Sequence, residues 1–509
     1  MYYFYFPDPH LLCHAMPLSN GNGAGAGAGS SLAAFVLGAA AASACAALAF
    51  GVGDRRHDRR RVSSPLPGDL ALCAESISGP GSGACIYLDH AATTPIYPEV
   101  LEEMLPYFSE HFGNPSSSHA YGDEPKRALA LARTRLMGLL NCNSDEGDSD
   151  GGDSIIFTGC GTEADNLAIH LALHSTPRPK KGRRKHIVTC AIEHPAVLEC
   201  LRLLHNRSDI DLTILPVDRE GAVALADVEK AIIPGRTALV TIMAANNEVG
   251  TLQPVKSISE LCRSKGVLFH TDAAQAVGKV STALDDLGHP DLITMVGHKM
   301  GAPKGVAALY VRPGCLEADG RSTPAKDGYG SVGLALVGGG QESGRRAGTE
   351  NIPYIAGMGK AALGLTERRR SDDDGGAPKP QWRRNAAKME ALRARLLERL
   401  QDGLGEENVV PNGPADQAHR LPNTLSVGIR GVQSGELLRH VQTRVAASAG
   451  SACHSSGGGI SQVLQELGVP DEFARGTLRL SVGPHSSSDE IDRASDIIIA
   501  EAKKQLGRK

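Results

Sequence analysis

An acid and an amine stand just beyond two short apolar runs. In VLFHTDAAQAVGKV the run Val267–Phe269 leads into His270 and Asp272; in DLITMVGHKMGAPKG the run Leu292–Val296 leads into His298 and Lys299. Short apolar runs bounded by turn formers predict buried strands. Ligands of open α/β sheets bind at the carboxyl ends of such strands. Asp272 and Lys299 are therefore expected to face one crevice. That pairing suits a cofactor held as a Schiff base on the lysine, with the carboxylate on its ring nitrogen. Asp272 taken alone would serve equally as a helix N-cap.

A second feature is SIIFT followed by Gly159-Cys160-Gly161-Thr162-Glu163-Ala164-Asp165-Asn166. A strand, a glycine-rich turn and a helix start present free N–H groups and the positive end of the helix dipole to an anion. Gly161 and Thr162 are the candidate contacts, although glycine turns before helices are common without any ligand.

Elements that position these residues alternate along the chain. Strands are predicted at Ala84–Leu88, Ser154–Thr158, His186–Cys190, Ala238–Ala244 and in the two runs above. Helices are predicted at Pro98–Phe112, Lys126–Leu140, from the glycine turn to about His174, and near Ile258–Lys265. This alternation implies a mainly parallel sheet with right-handed crossovers. Beyond it, long helices at Ile352–Arg370 and Arg384–Leu404 precede strands at Thr424–Ile429, Val445–Ser448 and Thr477–Ser481, a helix at Gly435–Gln442 and a closing helix at Ser488–Lys504. A leader (1–84), a large domain (85–350) and a smaller α+β domain (351–509) are expected. Asp145–Asp153, Arg178–Lys185, the Gly/Ser-rich stretch to Gly333 and Ser371–Pro380 read as surface segments.

Composition narrows the class. The 509 residues are 41% hydrophobic and 22% charged, as in a globular protein, and the net charge of −4 gives no reason to expect nucleic acid as a partner. Eleven cysteines, an odd number without a CxxC pair, argue for free thiols and against a disulfide framework or a zinc site, so no metal is expected. Leu32–Val52 is uncharged, Ala-rich and long enough to span a bilayer, with Arg55, Arg56, Arg59, Arg60 and Arg61 just after it. It reads either as an anchor that leaves the catalytic part in the cytosol or as a weakly hydrophobic leader with no membrane role. A secretory signal or a mitochondrial presequence would carry basic residues early, and no Lys or Arg precedes residue 55.

Tyr87-Leu88-Asp89-His90-Ala91-Ala92-Thr93-Thr94-Pro95, FGNPSS, GTEADN, Glu193-His194, NNEVG, HTDAAQ, GHK and Ser448-Ala449-Gly450-Ser451-Ala452-Cys453-His454-Ser455 occur in that order. From about Ile86 to the C-terminus the chain resembles the NifS-like cysteine desulfurase and selenocysteine lyase family. These are class V, fold-type I pyridoxal-phosphate enzymes. The resemblance implies a large domain with a mainly parallel seven-stranded sheet plus a smaller α+β C-terminal domain, with pyridoxal 5'-phosphate as cofactor. It implies that Lys299 carries the cofactor and moves the substrate Cα proton, and that Asp272 pairs with the pyridine nitrogen. Gln275 would contact the phenolic oxygen, His194 would cover the ring and shuttle protons, and Asn247 would add a further contact. Phosphate would sit on Gly161, Thr162 and His298, with Thr349 reaching in from the neighbouring subunit of a homodimer. Arg479, with Asn423 beside it, would clamp the substrate carboxylate, which a planar fork suits. Cys453, among small residues, would be the mobile nucleophile that takes the chalcogen, its reactivity set by its thiolate fraction, and would hand it to an acceptor protein.

The family handles both cysteine and selenocysteine. Val296, where many desulfurases place a serine, together with Ala452-Cys453-His454-Ser455 and Leu421-Pro422-Asn423-Thr424, tilts the expectation towards selenocysteine lyase, with cysteine desulfurase as the alternative. Class V aminotransferases and kynureninase-like lyases share the scaffold, but have no need for a cysteine in such a loop. A non-enzymatic scaffold would be favoured only if Lys299, Asp272 or Cys453 were missing.

Overall fold

The structure, a computed structural model, describes residues 85–142, 154–176, 183–316, 336–369, 378–449 and 459–507. Cys453, Leu32–Val52, Asp145–Asp153 and the stretch from residue 317 to Gly333 lie outside the described residues. All the described residues fall within one compact unit, Asp69–Lys509.

A seven-stranded sheet forms the centre. Its strands are β1 (Ile155–Thr158), β2 (Lys185–Cys190), β3 (Ile210–Leu215), β4 (Thr237–Thr241), β5 (Leu268–Asp272), β6 (Leu292–Val296) and β7 (Ala307–Val311), arranged β1-β7-β6-β5-β4-β2-β3. Only β7 runs antiparallel to its neighbours. Two strands escape the sequence reading. In β3, an edge strand, the middle residues are only half-buried, so the apolar run is diluted; β7 follows the GAPKG turn directly.

The period of two along each strand builds two cores. Ile155, Phe157, Val188, Val240, Phe269, Ile293 and Tyr310 point to one face, with helices α2 (Ala120–Leu139), α5 (Val255–Lys265) and α6 (Ile352–Thr366). Ile156, Ile187, Leu239, Leu292 and Leu309 point to the other, with α3 (Gly161–Ser175) and α4 (Pro195–Asn206). Each fully buried side chain of this kind contributes about 1.5–3 kcal/mol. Helix α2 starts six residues before the predicted Lys126 and accommodates Pro125 near its start. The predicted helix Pro98–Phe112 is two pieces, α1 (Pro98–Met104) and a turn at Pro106–Ser109, because Pro106 cannot donate to the first.

A second, four-stranded antiparallel sheet comprises β8 (Val409–Pro411), β9 (Thr424–Ile429), β10 (Ser448–Ala449) and β11 (Thr477–Ser481), ordered β8-β9-β11-β10. Helices α7 (Gln381–Leu404) and α8 (Ser488–Leu506) cover it through Leu392, Leu396, Ile491 and Ile498, and Ile86 and Leu88 join the same cluster. The predicted strand Val445–Ser448 divides: Val445–Ala446 pairs in parallel with Ile86–Tyr87, and Ser448–Ala449 pairs with β11. Helix α6 ends at Thr366, short of the predicted Arg370. Among the described residues no helix is long and apolar enough to cross a membrane.

Candidate active site

Strands β1, β2, β4, β5 and β6 run in one direction, so their carboxyl ends share one edge. From that edge come Gly161, His194, Asn247, Asp272 and Lys299 in turn. The opening expectation of an acid and an amine on one crevice is met: Asp272 is the last residue of β5, and Lys299 closes a single 3-10 turn, Gly297–Lys299, after β6. Burial draws the Lys299 amine below its usual pKa; Asp272 is the largest charge acting on it and pulls the other way. The expected helix N-cap is not formed: residues 274–279 are a turn rather than a helix, and Asp272 Oδ1 accepts the Ala274 N–H of that turn at 2.8 Å. His270 does not join the crevice. It is wholly buried within β5, held by Thr241 (2.8 Å) and Thr294 (3.1 Å), and burial pushes it down to about 3.

His194 caps helix α4, and its Nδ1 accepts the Ala196 N–H at 3.1 Å. That bond assigns the proton of the neutral ring to Nε2. Burial lowers its pKa; Asp272 opposes this and Lys299 adds to it. Two buried carboxyls nearby went unread as chemistry, since they appeared only as letters within motifs. Glu193 Oε1 accepts the Met243 N–H (2.6 Å) and the Cys190 thiol (3.2 Å), while Oε2 is buried without a partner among the described residues. Burial raises this carboxyl to about 8. Asp165, 2% exposed, is raised well above the usual range by burial and then by Asp272, and its Oδ1 also lacks a hydrogen-bond partner among the described residues.

The glycine turn places Gly161 at the start of α3, against Val296. A Cβ on Gly161 would meet Val296 Cγ2 at 2.7 Å. The first-turn N–H groups of α3 have no partners within the helix. Glu163 in that turn accepts the Gly159 N–H at 2.8 Å and pairs with Arg346 at 2.7 Å, so its charge is balanced. His298 bonds Thr93 Oγ1 through Nδ1 (3.1 Å), and burial together with Lys299, Lys304 and Lys279 lowers it to about 4, leaving a neutral ring. Thr162 is exposed at the helix start, and Thr349 is exposed on the loop that follows Arg346.

Gln275 is buried; its Nε2 donates to the Ala91 carbonyl at 2.9 Å, and its Oε1 has no partner among the described residues. Lys279, one turn on and also missed, is buried, donates to the Gln275 carbonyl at 3.0 Å, and is lowered to about 7 by burial and by Lys299. A cavity of about 20 Å³ brings Lys279, Lys299, His90 and Asn423 to a common wall. Asn423 is fully buried, its Oδ1 accepting from Thr424 Oγ1 (3.1 Å) and its Nδ2 donating to the Val482 carbonyl (3.4 Å). Arg479 donates through Nη1 to the Asn247 carbonyl (3.1 Å) and through Nη2 to Asp89 and Ser448 (3.0 Å each); its Nε is buried without a partner among the described residues.

The profile of the aminotransferase class-V family matches residues 86–494. The chain belongs to that family. Among similar class-V proteins, a cysteine desulfurase IscS of Clostridium botulinum is 39% identical over 414 residues, covering 81% of this chain and 93% of the relative. A cysteine desulfurase of Trichormus azollae is 38% identical over 416 residues, covering 81% and 92%. Of the solved structures, a NifS-like protein superposes with a TM-score of 0.65 at 29% identity, covering 82% of this chain and 98% of that one. A structure titled SspA in complex with cysteine gives 0.59 at 30% identity, covering 79% and 99%. The chain is thus a NifS-like class-V enzyme of fold-type I, a pyridoxal-phosphate-dependent carbon–sulfur lyase. The site fits that cofactor: a cradle that a single Cβ on Gly161 would crowd, an orphaned Gln275 Oε1, and an amine and a carboxylate at adjacent strand ends. Among the described residues no cluster of His, Cys, Asp and Glu could hold a metal ion.

Proposed function

We propose that this protein is a cysteine desulfurase that converts L-cysteine to L-alanine and leaves the sulfur as a persulfide on Cys453. The reaction balances as L-cysteine plus the Cys453 thiol giving L-alanine plus the Cys453 persulfide. The observation that carries it is the placement of Arg479, whose Nη1 donates to the Asn247 carbonyl at the strand-end edge that also bears Lys299, and whose buried Nε–H has no partner among the described residues. A carboxylate anchor beside a reactive amine suits the two ends of an α-amino acid.

Bound pyridoxal phosphate supplies an electron sink for the Cα–H electrons. Lys299 would hold it and then, as a free amine whose pKa burial lowers, would move the Cα proton. Asp272 would hold the ring nitrogen and Gln275 the phenolic oxygen, Asn247 would give a further contact, and His194 would cover the ring. Gly161, Thr162 and His298 receive the phosphate. Thr349, exposed here, completes that cradle from the second subunit of a homodimer. Arg479 takes the substrate carboxylate with Asn423 beside it. Cys453 then passes sulfur to an acceptor protein.

Selenocysteine lyase is the second reading. Its strongest local support was Val296, which the contact with Gly161 accounts for as packing. The similar proteins above are named cysteine desulfurases. Alanine release from matched L-cysteine and L-selenocysteine, with mass analysis of the Cys453 peptide, tests the choice. Steady turnover of L-cysteine with an added sulfur on Cys453 is expected; turnover confined to selenocysteine would overturn the sulfur reading.

A further inference from the structure

Arg479 is held by groups from three distant parts of the chain. Ser448 lies directly opposite it across the β10–β11 ladder. Asp89 arrives from the N-terminal segment, where Ser481 pins the backbone: the Ser481 N–H donates to the Leu88 carbonyl at 2.7 Å, and the Ala91 N–H donates to Ser481 Oγ at 2.8 Å. The Asp89 carboxylate accepts from Arg479 Nη2 at 3.0 Å. Ser448 Oγ accepts from the same Nη2 and lies 3.0 Å from both Asp89 oxygens, so its hydroxyl donates to that carboxylate. The Asn247 carbonyl takes Nη1. Both ends of the guanidinium are therefore tied down, and Nε–H is a buried donor with no partner among the described residues. An unpaired donor on a charged group is costly when buried, and a ligand oxygen would satisfy it.

We propose that Asp89, oriented by Ser448, is the positioning residue of the substrate-carboxylate site: it fixes the plane of the Arg479 fork so that the free Nε–H meets the carboxylate of an α-amino acid. Asp89 itself touches neither substrate nor cofactor. The role rests on the functional reading above. It predicts a selective effect, because only ligands that bear a carboxylate depend on the aim of Arg479.

The test uses the full-length holoenzyme, following the visible absorbance of the bound cofactor during titration with L-alanine and, separately, with ethylamine, which has the amine but no carboxylate. Wild-type protein should prefer L-alanine. In Asp89→Asn the ratio of the two dissociation constants should fall roughly tenfold, and in Ser448→Ala about threefold, as expected for loss of charge-assisted hydrogen bonds. The Michaelis constant for L-cysteine should rise by similar factors while kcat stays within about twofold. Equal weakening of both ligands would mean a merely structural ion pair, and tighter L-alanine binding would mean that Asp89 competes with substrate; either result overturns the proposal. Should Asp89→Asn fail to fold, Ser448→Ala decides by the same ratio. Wild-type protein without a cofactor band would instead sink the functional reading, and this role with it.

Discussion

Gly161 and Val296 are in direct contact, the glycine at the start of α3 and the valine at the end of β6, with 2.7 Å between the valine Cγ2 and the position a Cβ on residue 161 would take. Valine is stiff at χ1 and cannot swing away. Gly161→Ala should therefore overpack the cradle by about 1–3 kcal/mol and push the first turn of α3 off the phosphate. Cofactor titration should show affinity down by roughly tenfold or more. Adding Val296→Ala to the same chain should restore most of it, since contacting residues couple. A double variant as weak as the single one would show that the contact does not govern the cradle.

Lys299 and Cys453 should separate cleanly. Lys299→Ala is expected to abolish the visible band of the lysine-bound cofactor and to cut turnover by roughly 10²–10⁴-fold or more. Cys453→Ala should keep the band and lose persulfide formation. An unchanged spectrum in the lysine variant would refute the cofactor assignment.

The sheet edge that carries the site was legible because apolar runs and turn formers announce strand ends, which is how Asp272 and Lys299 were found. The resemblance added His194, Gln275 and Arg479 residue by residue. What stayed hidden depends on pairing between distant segments. Asp89 and Ser448 are ordinary polar letters until β11 brings Arg479 between them. Glu193 and Asp165 lie within recognisable motifs, but nothing in their spacing tells that burial keeps them from ionising normally. The apolar run stops before His270, but the strand continues to Asp272 and buries His270 within the sheet.

Glu193 should tie stability to pH. Its carboxyl is raised from 4.5 to about 8 in the folded protein. Between those values the folded state binds the proton more fully than the unfolded state, so stability from this group is complete below about pH 4.5 and is lost as pH rises to about 8. The loss is on the order of 3–5 kcal/mol for such a shift. Glu193→Gln keeps the shape of the protonated acid and removes the slope. Urea unfolding at about pH 5 and about pH 8.5, roughly 3.5 units apart, should show wild type losing ground relative to the variant. Parallel curves would contradict the assignment.

Arg133 and Glu342 form a buried pair at 2.9 Å, and Glu342 also accepts the Phe157 N–H. The pair fastens the start of the loop that leads to Thr349 onto β1. Arg133→Met strands the Glu342 carboxylate and should cost on the order of 3–5 kcal/mol in urea unfolding. Arg133→Met with Glu342→Gln should recover part of that, because no uncompensated charge remains. A single variant as stable as wild type would show that the loop is held by other means.

The N-terminal strap has a consequence for how the enzyme comes into being. Asp89 and Arg479 are 390 positions apart, so during synthesis at 5–20 residues per second Asp89 emerges roughly 20–80 s before its partner. Gly161, His194, Asp272 and Lys299 are all made within that interval. The strand ends that carry Asp272 and Lys299 are therefore made long before β11 brings Arg479 to Asp89, so the two halves of the site are completed at different stages of synthesis.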